Sequence, residues 1–515
     1  MCIKKKYHMT PGLILGFVGL YFIVLFAIAR WTSKGATNSD FFVAGKKAPW
    51  YLVAFGMIGA SLSGVTFISI PGQVAGSEFS YMQMVLGYIL GYVVIAYVLI
   101  PVFYRLNLVS IYTYLKGRFG TVSHKTGAAF FLFSRTLGAG IRLLLVANVL
   151  QYLVFEQWGV PFEITVLLSI ALIWLYTHKG GLKTIIWTDT LQTGFMLVSL
   201  GLTIYFLSVG LGFEGISETF SQVGDSKYAK IFFMDDWLSG NYFYKHFFGG
   251  MFIAIGMTGL DQDMMQKNLS CKSAKEAQKN MMSFTAVLVF VNLFFLGLGA
   301  LLYMYASKMG VEVPVVDGVK RTDLLFSEIA LNSGLGMSVA IFFLLGLIAA
   351  AYSSADSALA SLTTSVSVDF LDIESKPVLE QERVRKRTHI IMSAVLFVVI
   401  LILDKTFDRS AIFQIIFLAG FTYGPLIGLY FFGLFTKLKV SDSWVPLVCL
   451  SSVAITVFLW YTSFRALEGQ VAEQCLFGGY RFGAELIIIN ALLTFIGMLI
   501  LSAVGGFKTM DKVGL

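Results

Sequence analysis

The chain has 515 residues, of which 57% are hydrophobic and only 13% are charged, and its mean hydropathy is +0.78. A soluble domain carries about 25% charged residues, so this composition excludes a water-exposed globular protein and leaves no room for a sizeable soluble domain. The formal charge of +8 does not indicate a nucleic-acid partner, because the basic residues lie in short segments between apolar runs. The four cysteines, Cys2, Cys271, Cys449 and Cys475, lack the spacing of a disulfide framework or metal site. The sequence predicts an all-α polytopic membrane protein.

Apolar runs long enough to cross about 30 Å of hydrocarbon recur along the chain and predict about 13 transmembrane helices. We number them spans 1 to 13 and place them near 11–30, 50–73, 80–104, 126–153, 162–177, 186–210, 246–266, 281–305, 335–369, 388–404, 410–436, 443–463 and 483–505. Lys4, Lys5 and Lys6 before span 1 resemble the start of a signal peptide. The run that follows lacks a small-residue cleavage site, so we predict that span 1 is retained.

The basic residues divide unequally between the two sets of alternating loops. More of them lie on the side that holds the C-terminus, whereas the Lys4–Lys6 cluster lies on the other side. The positive-inside rule then predicts a plasma (inner) membrane protein with its N-terminus outside and its C-terminus in the cytoplasm. Lys267, directly after span 7, is counted here as a cytoplasmic loop residue.

Spans 2 and 7 carry residues that interrupt a regular apolar helix. Span 2 reads AFGMIGASLSGVTFISIPG, and span 7 reads GGMFIAIGMTGLDQDMMQKN. Non-helical backbone at membrane depth is tolerated only where it is buried or lines a cavity, although glycine-mediated helix packing is a structural alternative. The two spans each open a set of five, which indicates two inverted repeats with a binding site between them. The predicted organisation is an extra helix at 11–30, repeats at 50–210 and 246–436, and two C-terminal helices within 443–505.

Span 9 contains LLGLIAAAYSSADSALASLTTSVSVDF (344–370), which has many hydroxyl groups for a membrane helix. On a helix, one sector holds Ser353, Ser354, Ser357 and Ser361, with Asp356 on its edge. Oxygen ligands suit a small hard cation, and a carboxylate inside a membrane span indicates function. The alternative is that small residues allow close helix packing, with their hydroxyls bonded back to their own helix. We favour a cation site.

Three further charged residues lie within predicted spans. Arg135 and Arg142 are seven residues apart and so share one face of span 4. Each arginine either has a structural role or offers its guanidinium fork to a substrate carboxylate. The structural role is pairing with a buried acid or with helix-end carbonyls, or, for Arg135, extension to the membrane interface. Asp189 lies near the start of span 6, where it is either an N-cap or an ion-coordinating carboxylate that faces span 9.

Four stretches resemble members of the sodium:solute symporter family, which includes sodium/glucose, sodium/proline and sodium/sialic acid transporters. They are FYRLNLVSIYTYLKGRFG (103–120), GGLKTIIWTDTLQ (180–192), DQDMMQKNLSCKSAKEA (261–277) and AAAYSSADSALASLTTSVSVDF (349–370). The resemblance runs from about 40 to 440. It implies a LeuT-like core of two five-helix inverted repeats, with one span before it and two after it.

The resemblance also implies ion sites. The family's shared sodium site lies between spans 2 and 9, and its motif implies these ligands here: the carbonyls of Gly59, Leu62 and Ala350 and the hydroxyls of Ser353 and Ser354. Two-sodium members imply a second site at Asp189, Ser353, Asp356 and Ser357. Asp356 departs from their pattern, because the sodium/sialic acid transporters have serine there, so the second ion is sodium or a proton. Pairing of Asp356 with Arg135 or Arg142 is the structural alternative.

The substrate residues implied by the resemblance point in two directions. Ser63 and Thr66 match hydroxyls that sialic acid transporters use for the substrate carboxylate, and Arg142 or Arg135 would supply their arginine. Asp261 and Gln262 match positions where sugar transporters place polar contacts. We favour an organic anion or acidic sugar, such as sialic acid, over a neutral sugar.

These observations predict a sodium-coupled secondary active symporter that imports a small polar organic solute by alternating access, with no enzymatic step and no organic cofactor. An ion channel would have a filter or charged ring and no matched interrupted helices. A membrane enzyme would cluster its histidines, but they are scattered at His8, His124, His178, His246 and His389. A solute-sensing transceptor is another alternative, although the tail after Ala503 is short for a signalling domain. The expected partners are Na⁺, the solute and the lipid bilayer, without nucleic acid; the oligomeric state is open.

Overall fold

A computed structural model describes residues 11–316, 319–406, 411–465 and 477–506 of the chain. Lys4–Lys6, His8, Cys2 and Cys475 lie outside the described residues. Within them, 11 helices are long and apolar enough to cross a membrane. These are span 1 (Pro11–Thr32), span 2 (Trp50–Ser77), span 3 (Tyr81–Val94, continuing through a π-helical turn to Ile100–Arg105), span 4 (Thr121–Leu150), span 6 (Leu182–Leu211), span 8 (Ala274–Met309), span 9 (Met337–Ser365), span 10 (Val378–Thr406), span 11 (Ala411–Phe435), span 12 (Val445–Arg465) and span 13 (Leu486–Val504).

The other two predicted spans are short or interrupted. Span 5 is the helix Phe162–Thr177, whose 16 residues rise about 24 Å and so fall short of a bilayer of about 30 Å. Span 7 consists of the helix Phe243–Ala254, a π-helical turn at Ile255–Gly259 and the short helix Gln262–Leu269. The all-helical membrane architecture is confirmed, whereas the count of 13 crossing helices stays a prediction.

The interruption predicted in span 2 lies at Ser63, whose φ of 41° and ψ of 167° are not helical. The break is enclosed, because Ser63 is 2% exposed and its helical neighbours are buried as well. Span 2 packs closely against two other spans. A Cβ atom added to Gly56 would lie 2.9 Å from the Asp189 Cβ of span 6, and one added to Gly64 would lie 3.3 Å from the Ala351 Cβ of span 9. Spans 2, 6 and 9 therefore form the centre of the fold.

The connections between spans contain only small elements in the described part of the chain. Short helices occupy Asn38–Val43, Thr113–Arg118, Ile216–Gly224 and Leu325–Asn332. The strands Val315–Val316 and Val319–Lys320 form one two-residue antiparallel pair. These elements leave the predicted sites to be built by the membrane helices.

Candidate functional site

The contact between spans 2 and 9 brings predicted sodium ligands together. The Ser354 hydroxyl donates to the Ala60 carbonyl at 3.2 Å and to the Ala350 carbonyl at 3.3 Å. Gly59 and Leu62, whose carbonyls are predicted sodium ligands, lie on either side of Ala60 in the same buried segment. This geometry places oxygen atoms from both spans around Ser354, as a bound cation requires.

Span 6 closes this region from the side of Gly59. The Gly59 N–H donates to the Thr193 hydroxyl of span 6 at 3.1 Å. A side chain at position 59 would clash with that hydroxyl, so the close approach of the two spans requires glycine. Thr193 therefore fixes the backbone of the predicted ligand segment.

Ser353 is turned towards span 6 rather than towards Ala60. Its hydroxyl donates to Asp189 Oδ1 at 2.6 Å. The span 6 helix begins at Leu182, so Asp189 lies in its third turn and the N-cap alternative is wrong. Asp189 faces span 9, as the ion-coordinating alternative predicted.

The other Asp189 oxygen is held by an ion pair that the sequence analysis missed. Lys267 Nζ lies 2.6 Å from Asp189 Oδ2, and the two side chains are only 2% and 1% exposed. The prediction that Lys267 is a cytoplasmic loop residue is wrong, because it lies on the buried helix Gln262–Leu269. A buried ammonium is costly without a counter-ion, and Asp189 supplies that counter-ion.

Asp356 is fully buried beside this pair. Its Oδ2 accepts a hydrogen bond of 2.7 Å from the Tyr176 hydroxyl of span 5. Its Oδ1 and the Ser357 hydroxyl are buried, and neither has a hydrogen-bond partner among the described residues. No arginine lies in a salt bridge with Asp356 in this part of the chain, so the structural alternative of an arginine pair is wrong.

Asp261 and Gln262, predicted as substrate contacts, have structural partners. Asp261 Oδ1 caps the short helix by accepting from the N–H groups of Asp263 at 2.9 Å and Met264 at 3.3 Å, and its Oδ2 accepts from a tyrosine hydroxyl. The Gln262 amide accepts from the Ile111 N–H at 2.9 Å and donates to a backbone carbonyl at 2.8 Å. Both side chains lie outside the lining of the central cavity described next.

A cavity lies at the centre of the helices, beside the break in span 2. It is lined by four predicted substrate residues, Ser63, Thr66, Arg135 and Arg142. The sequence analysis missed six further polar residues of its lining: Ser61, Tyr81, Tyr88, Tyr92, Thr258 and Asn292. The cavity therefore combines positive charge with many hydroxyl groups.

The two arginines of span 4 differ in their partners. Arg135 forms a short, buried ion pair with Asp263, so the structural interpretation is confirmed for Arg135. Arg142 is 7% exposed, and its Nε is buried without a partner. Within the described residues, Arg142 makes no hydrogen bond or ion pair, so its guanidinium lines the cavity without a direct partner, although the charge of Asp261 acts on it.

Two patterns in the sequence indicate the missed cavity residues. Tyr81, Tyr88 and Tyr92 are seven and four residues apart, which places them on one face of span 3, and the hydroxyls of Tyr81 and Tyr88 lie 3.2 Å apart. Asn292 is a lone amide in the apolar run of span 8. Its Nδ2 donates to the Leu288 carbonyl at 2.8 Å, while its Oδ1 is buried without a partner in the described structure.

Comparisons with known proteins decide the family. The profile of the sodium:solute symporter family matches residues 41–441. The chain belongs to this family. It is 26% identical over 450 residues to the sodium/sialic acid symporter SiaT of Proteus mirabilis, across 85% of this chain and 86% of SiaT. It is 28% identical over 269 residues to human sodium-coupled monocarboxylate transporter 2, across 51% of this chain and 42% of that one.

Solved structures agree on the fold. The substrate-bound outward-open state of a Na⁺-coupled sialic acid symporter matches with a TM-score of 0.80 at 20% identity, across 97% of this chain and 99% of that one. Mhp1, a nucleobase-cation-symport-1 family transporter, matches in a closed conformation with a TM-score of 0.55 at 15% identity, across 91% and 95%. The LeuT-like fold is confirmed. This chain is a multi-pass membrane symporter that couples a small organic solute to Na⁺.

Proposed function

We propose that this symporter imports an organic anion of the acidic-sugar class. The observation that carries the proposal is Arg142, a buried guanidinium that lines the central cavity and is bonded directly to no acid among the described residues. Removing such a charge from water costs several kcal/mol unless a partner compensates it, with estimates of roughly 3–5 kcal/mol for a broken buried pair. A solute carboxylate would supply the missing charge, and the planar guanidinium fork would bind it at two points.

The remaining cavity residues favour a hydroxylated anion over a short monocarboxylate. Ser63 and Thr66 line the same cavity as Arg142 and would donate to the carboxylate, while Tyr88, Tyr92 and Asn292 offer further polar groups. Asn292 Oδ1 is buried without a partner among the described residues, and a solute without hydroxyl groups would leave it unpaired at a cost of about 1–3 kcal/mol. The names of the relatives agree, because sialic acid symporters align along most of this chain and monocarboxylate transporters along about half.

We assign the shared sodium site to the carbonyls of Gly59, Leu62 and Ala350 and to the hydroxyls of Ser353 and Ser354. We assign Asp189, Asp356 and Ser357 to the second cation site of the symporter. Support comes from the contacts of Ser354 with Ala60 and of Ser353 with Asp189. The transport cycle needs no covalent step, because an inward sodium gradient drives the solute through coupled binding. We further propose an external N-terminus and a cytoplasmic C-terminus.

The experiment measures the melting temperature of the purified protein with N-acetylneuraminate, lactate or glucose, in sodium or choline chloride. We expect N-acetylneuraminate to raise the melting temperature, and to do so more in sodium than in choline. Arg142→Lys should abolish this rise while sodium alone still stabilises the protein, because a point charge cannot replace the fork. A rise with glucose but not with N-acetylneuraminate would contradict an anionic solute.

Arg135→Lys is the matched control, because Arg135 lies on the same helix face and is paired with Asp263. It should lower the melting temperature with or without solute, since it weakens a buried pair. If Arg142→Lys behaves in the same way as Arg135→Lys, Arg142 has a structural role and the assignment of the solute carboxylate is wrong.

A further inference from the structure

The residues assigned to the second cation site already contain a cation that belongs to the protein. Lys267 Nζ lies 2.6 Å from Asp189 Oδ2, and both side chains are almost completely shielded from solvent. The remaining Asp189 oxygen accepts the Ser353 hydroxyl at 2.6 Å. An ammonium and Na⁺ carry the same charge, and a carboxylate oxygen can serve either of them.

We propose that Lys267 is a tethered cation that occupies the second ion site, so that this symporter binds one sodium ion tightly instead of two. The inference rests on the proposed sodium sites and specifies the identity of the second cation. The second cation in this proposal is a side chain of the protein and not a free ion. It belongs to the short helix Gln262–Leu269, the last part of interrupted span 7.

The oxygen atoms of the cluster support this assignment. A tightly held sodium in the shared site would have four of the assigned oxygens without competition from Asp189, those of Gly59, Leu62, Ala350 and Ser354, because the Ser353 hydroxyl is bonded to Asp189. Around Asp189 and Asp356, the buried oxygens without a hydrogen-bond partner in the described residues are Asp356 Oδ1 and Ser357 Oγ. Lys267, Ser353 and Tyr176 engage the three other carboxylate oxygens. A second sodium would therefore have to displace the ammonium from Asp189 to gain a comparable set of ligands.

The charges of the cluster lead to the same conclusion. Asp189 and Asp356 are two buried carboxylates, and among the described residues Lys267 is the basic side chain that pairs with Asp189. Removal of Lys267 would leave two acids close together without a cation, which is unfavourable at low dielectric. Sodium is the small cation that the family transports, so it would enter the space that the ammonium leaves.

Lys267 also has a position from which it can respond to the solute. It is one helical turn from Asp263, which holds Arg135 at the central cavity. The short helix thus carries one buried ion pair towards the solute cavity and another towards the ion cluster. A movement of this helix would change both sites together, whereas a free sodium ion would not be tied to the solute cavity in this way.

The test is equilibrium binding of ²²Na⁺ to the purified full-length protein, together with melting temperatures in sodium and choline chloride at equal ionic strength. We expect the wild type to bind one sodium tightly and Lys267→Met to bind two. In choline, Lys267→Met should melt below the wild type, and sodium should restore most of the difference because it replaces the ammonium. The double variant Lys267→Met/Asp189→Asn, which removes both charges of the pair, should again bind one sodium.

Three outcomes would overturn the inference. Lys267→Met binds only one sodium tightly, or the wild type binds two sodium ions tightly. In the third, Lys267→Met fails to fold and high sodium does not restore the folded protein. A separate variant distinguishes this failure from failure of the shared site. Ser354→Ala should weaken the tight sodium of the wild type by about tenfold or more and should leave one tightly bound sodium in the Lys267→Met background. If the wild type binds no sodium tightly, the shared site is wrong as well.

Discussion

Ser354 is the residue at which the packing and ion-binding explanations of span 9 separate. Its hydroxyl reaches across to the Ala60 carbonyl of span 2 at 3.2 Å. By contrast, the Ser361 hydroxyl, two turns later on the same helix, donates to the Ala358 carbonyl of its own helix at 2.9 Å. The Ser354 contact brings oxygen atoms of two helices close together, as a cation site requires. The Ser361 contact only provides a hydrogen-bond partner for a buried hydroxyl within its own helix.

We expect Ser354→Ala to raise the sodium concentration for half-maximal thermal stabilisation by about tenfold or more, because a lost hydrogen bond to a charged group costs about 1.5–3 kcal/mol. Ser361→Ala is the matched control and should leave this concentration unchanged. Both variants should fold, since alanine suits a helix. Unchanged sodium dependence in Ser354→Ala would place the shared ion site elsewhere.

The sequence predicted the residue types of the site better than their partners. The serine stripe and Asp356 were visible from helical spacing, and the two arginines were visible as charges in an apolar run. The Asp189–Lys267 pair was not, because its members are 78 residues apart and helical periodicity describes only neighbours along one helix. Lys267 was also placed in a loop because charged residues normally end a membrane span.

At the scale of elements, interrupted span 2 connects the two proposed binding sites. Ala60 accepts from Ser354 at the proposed ion site, and Ser63, three residues later, lines the central cavity. The Ser63 backbone has a positive φ of 41°, which costs a residue other than glycine roughly 1–3 kcal/mol. The same strained residue therefore ends one half of the helix and turns its hydroxyl towards the cavity.

Substitutions at Ser63 should distinguish the effect of its backbone conformation on stability from the effect of its hydroxyl on solute binding. Ser63→Gly and Ser63→Ala both remove the hydroxyl, so both should weaken stabilisation by N-acetylneuraminate to a similar extent. Ser63→Gly should be more stable than Ser63→Ala by about 1 kcal/mol or more, because glycine adopts positive φ without steric cost. Chemical unfolding and solute titration check the two effects. Full solute affinity in both variants would remove Ser63 from the solute site.

Gln262, the first residue of the short helix Gln262–Leu269, should stabilise the fold and should not contact the solute. Gln262→Ala removes hydrogen bonds to the Ile111 N–H and the Val109 carbonyl. It should lower the free energy of unfolding by about 1–3 kcal/mol, because both backbone groups are left unsatisfied. Its affinity for N-acetylneuraminate should equal that of the wild type, opposite to the result for Arg142→Lys. A loss of affinity with unchanged stability would restore Gln262 as a substrate contact.

The helices and their interruptions could be predicted where the residue composition of a segment indicates them. Glycine and hydroxyl residues marked the breaks in spans 2 and 7, and hydropathy marked the long helices. Hydropathy also placed span 5 at 162–177, the same 16 residues that form the helix in the structure, but it could not decide whether so short a helix crosses the membrane. Nor could it show that span 10 extends back to Val378, since its charged first turns resemble a loop.

At the scale of the molecule, a second cavity of about 600 Å³ adjoins the central one, and both are lined by Tyr81 and Ile416. Its wall includes Asn241 between spans 6 and 7 and Arg481 between spans 12 and 13. In the proposed orientation, both connections are external. The larger cavity is then the route by which an anionic solute enters from outside, and Arg481 adds positive charge to that route.

Cysteine labelling checks this orientation. In a protein whose Cys2 and Cys475 are replaced by serine, we expect a membrane-impermeant maleimide to label Lys227→Cys in intact cells. Leu379→Cys should be labelled only after the cells are opened. Lys227 and Leu379 are both exposed; Lys227 lies in the connection between spans 6 and 7, and Leu379 lies in the first turn of span 10, on the opposite predicted side. The reverse pattern would invert the molecule and make the larger cavity cytoplasmic.

Coupling across the whole molecule should be reciprocal. Span 2 contacts Ser354 through Ala60 and lines the solute cavity through Ser63, so an ion and a solute each order the same interrupted helix. Any factor by which sodium tightens the binding of N-acetylneuraminate must then equal the factor by which N-acetylneuraminate tightens the binding of sodium, typically about 5–150-fold. Calorimetric titration of each ligand with and without the other measures both factors. Ser354→Ala should shrink both factors equally, because it removes the contact that ties the ion to span 2. A factor close to one in the wild type would show that the two sites bind independently, and the shared helix would then not be the coupling element.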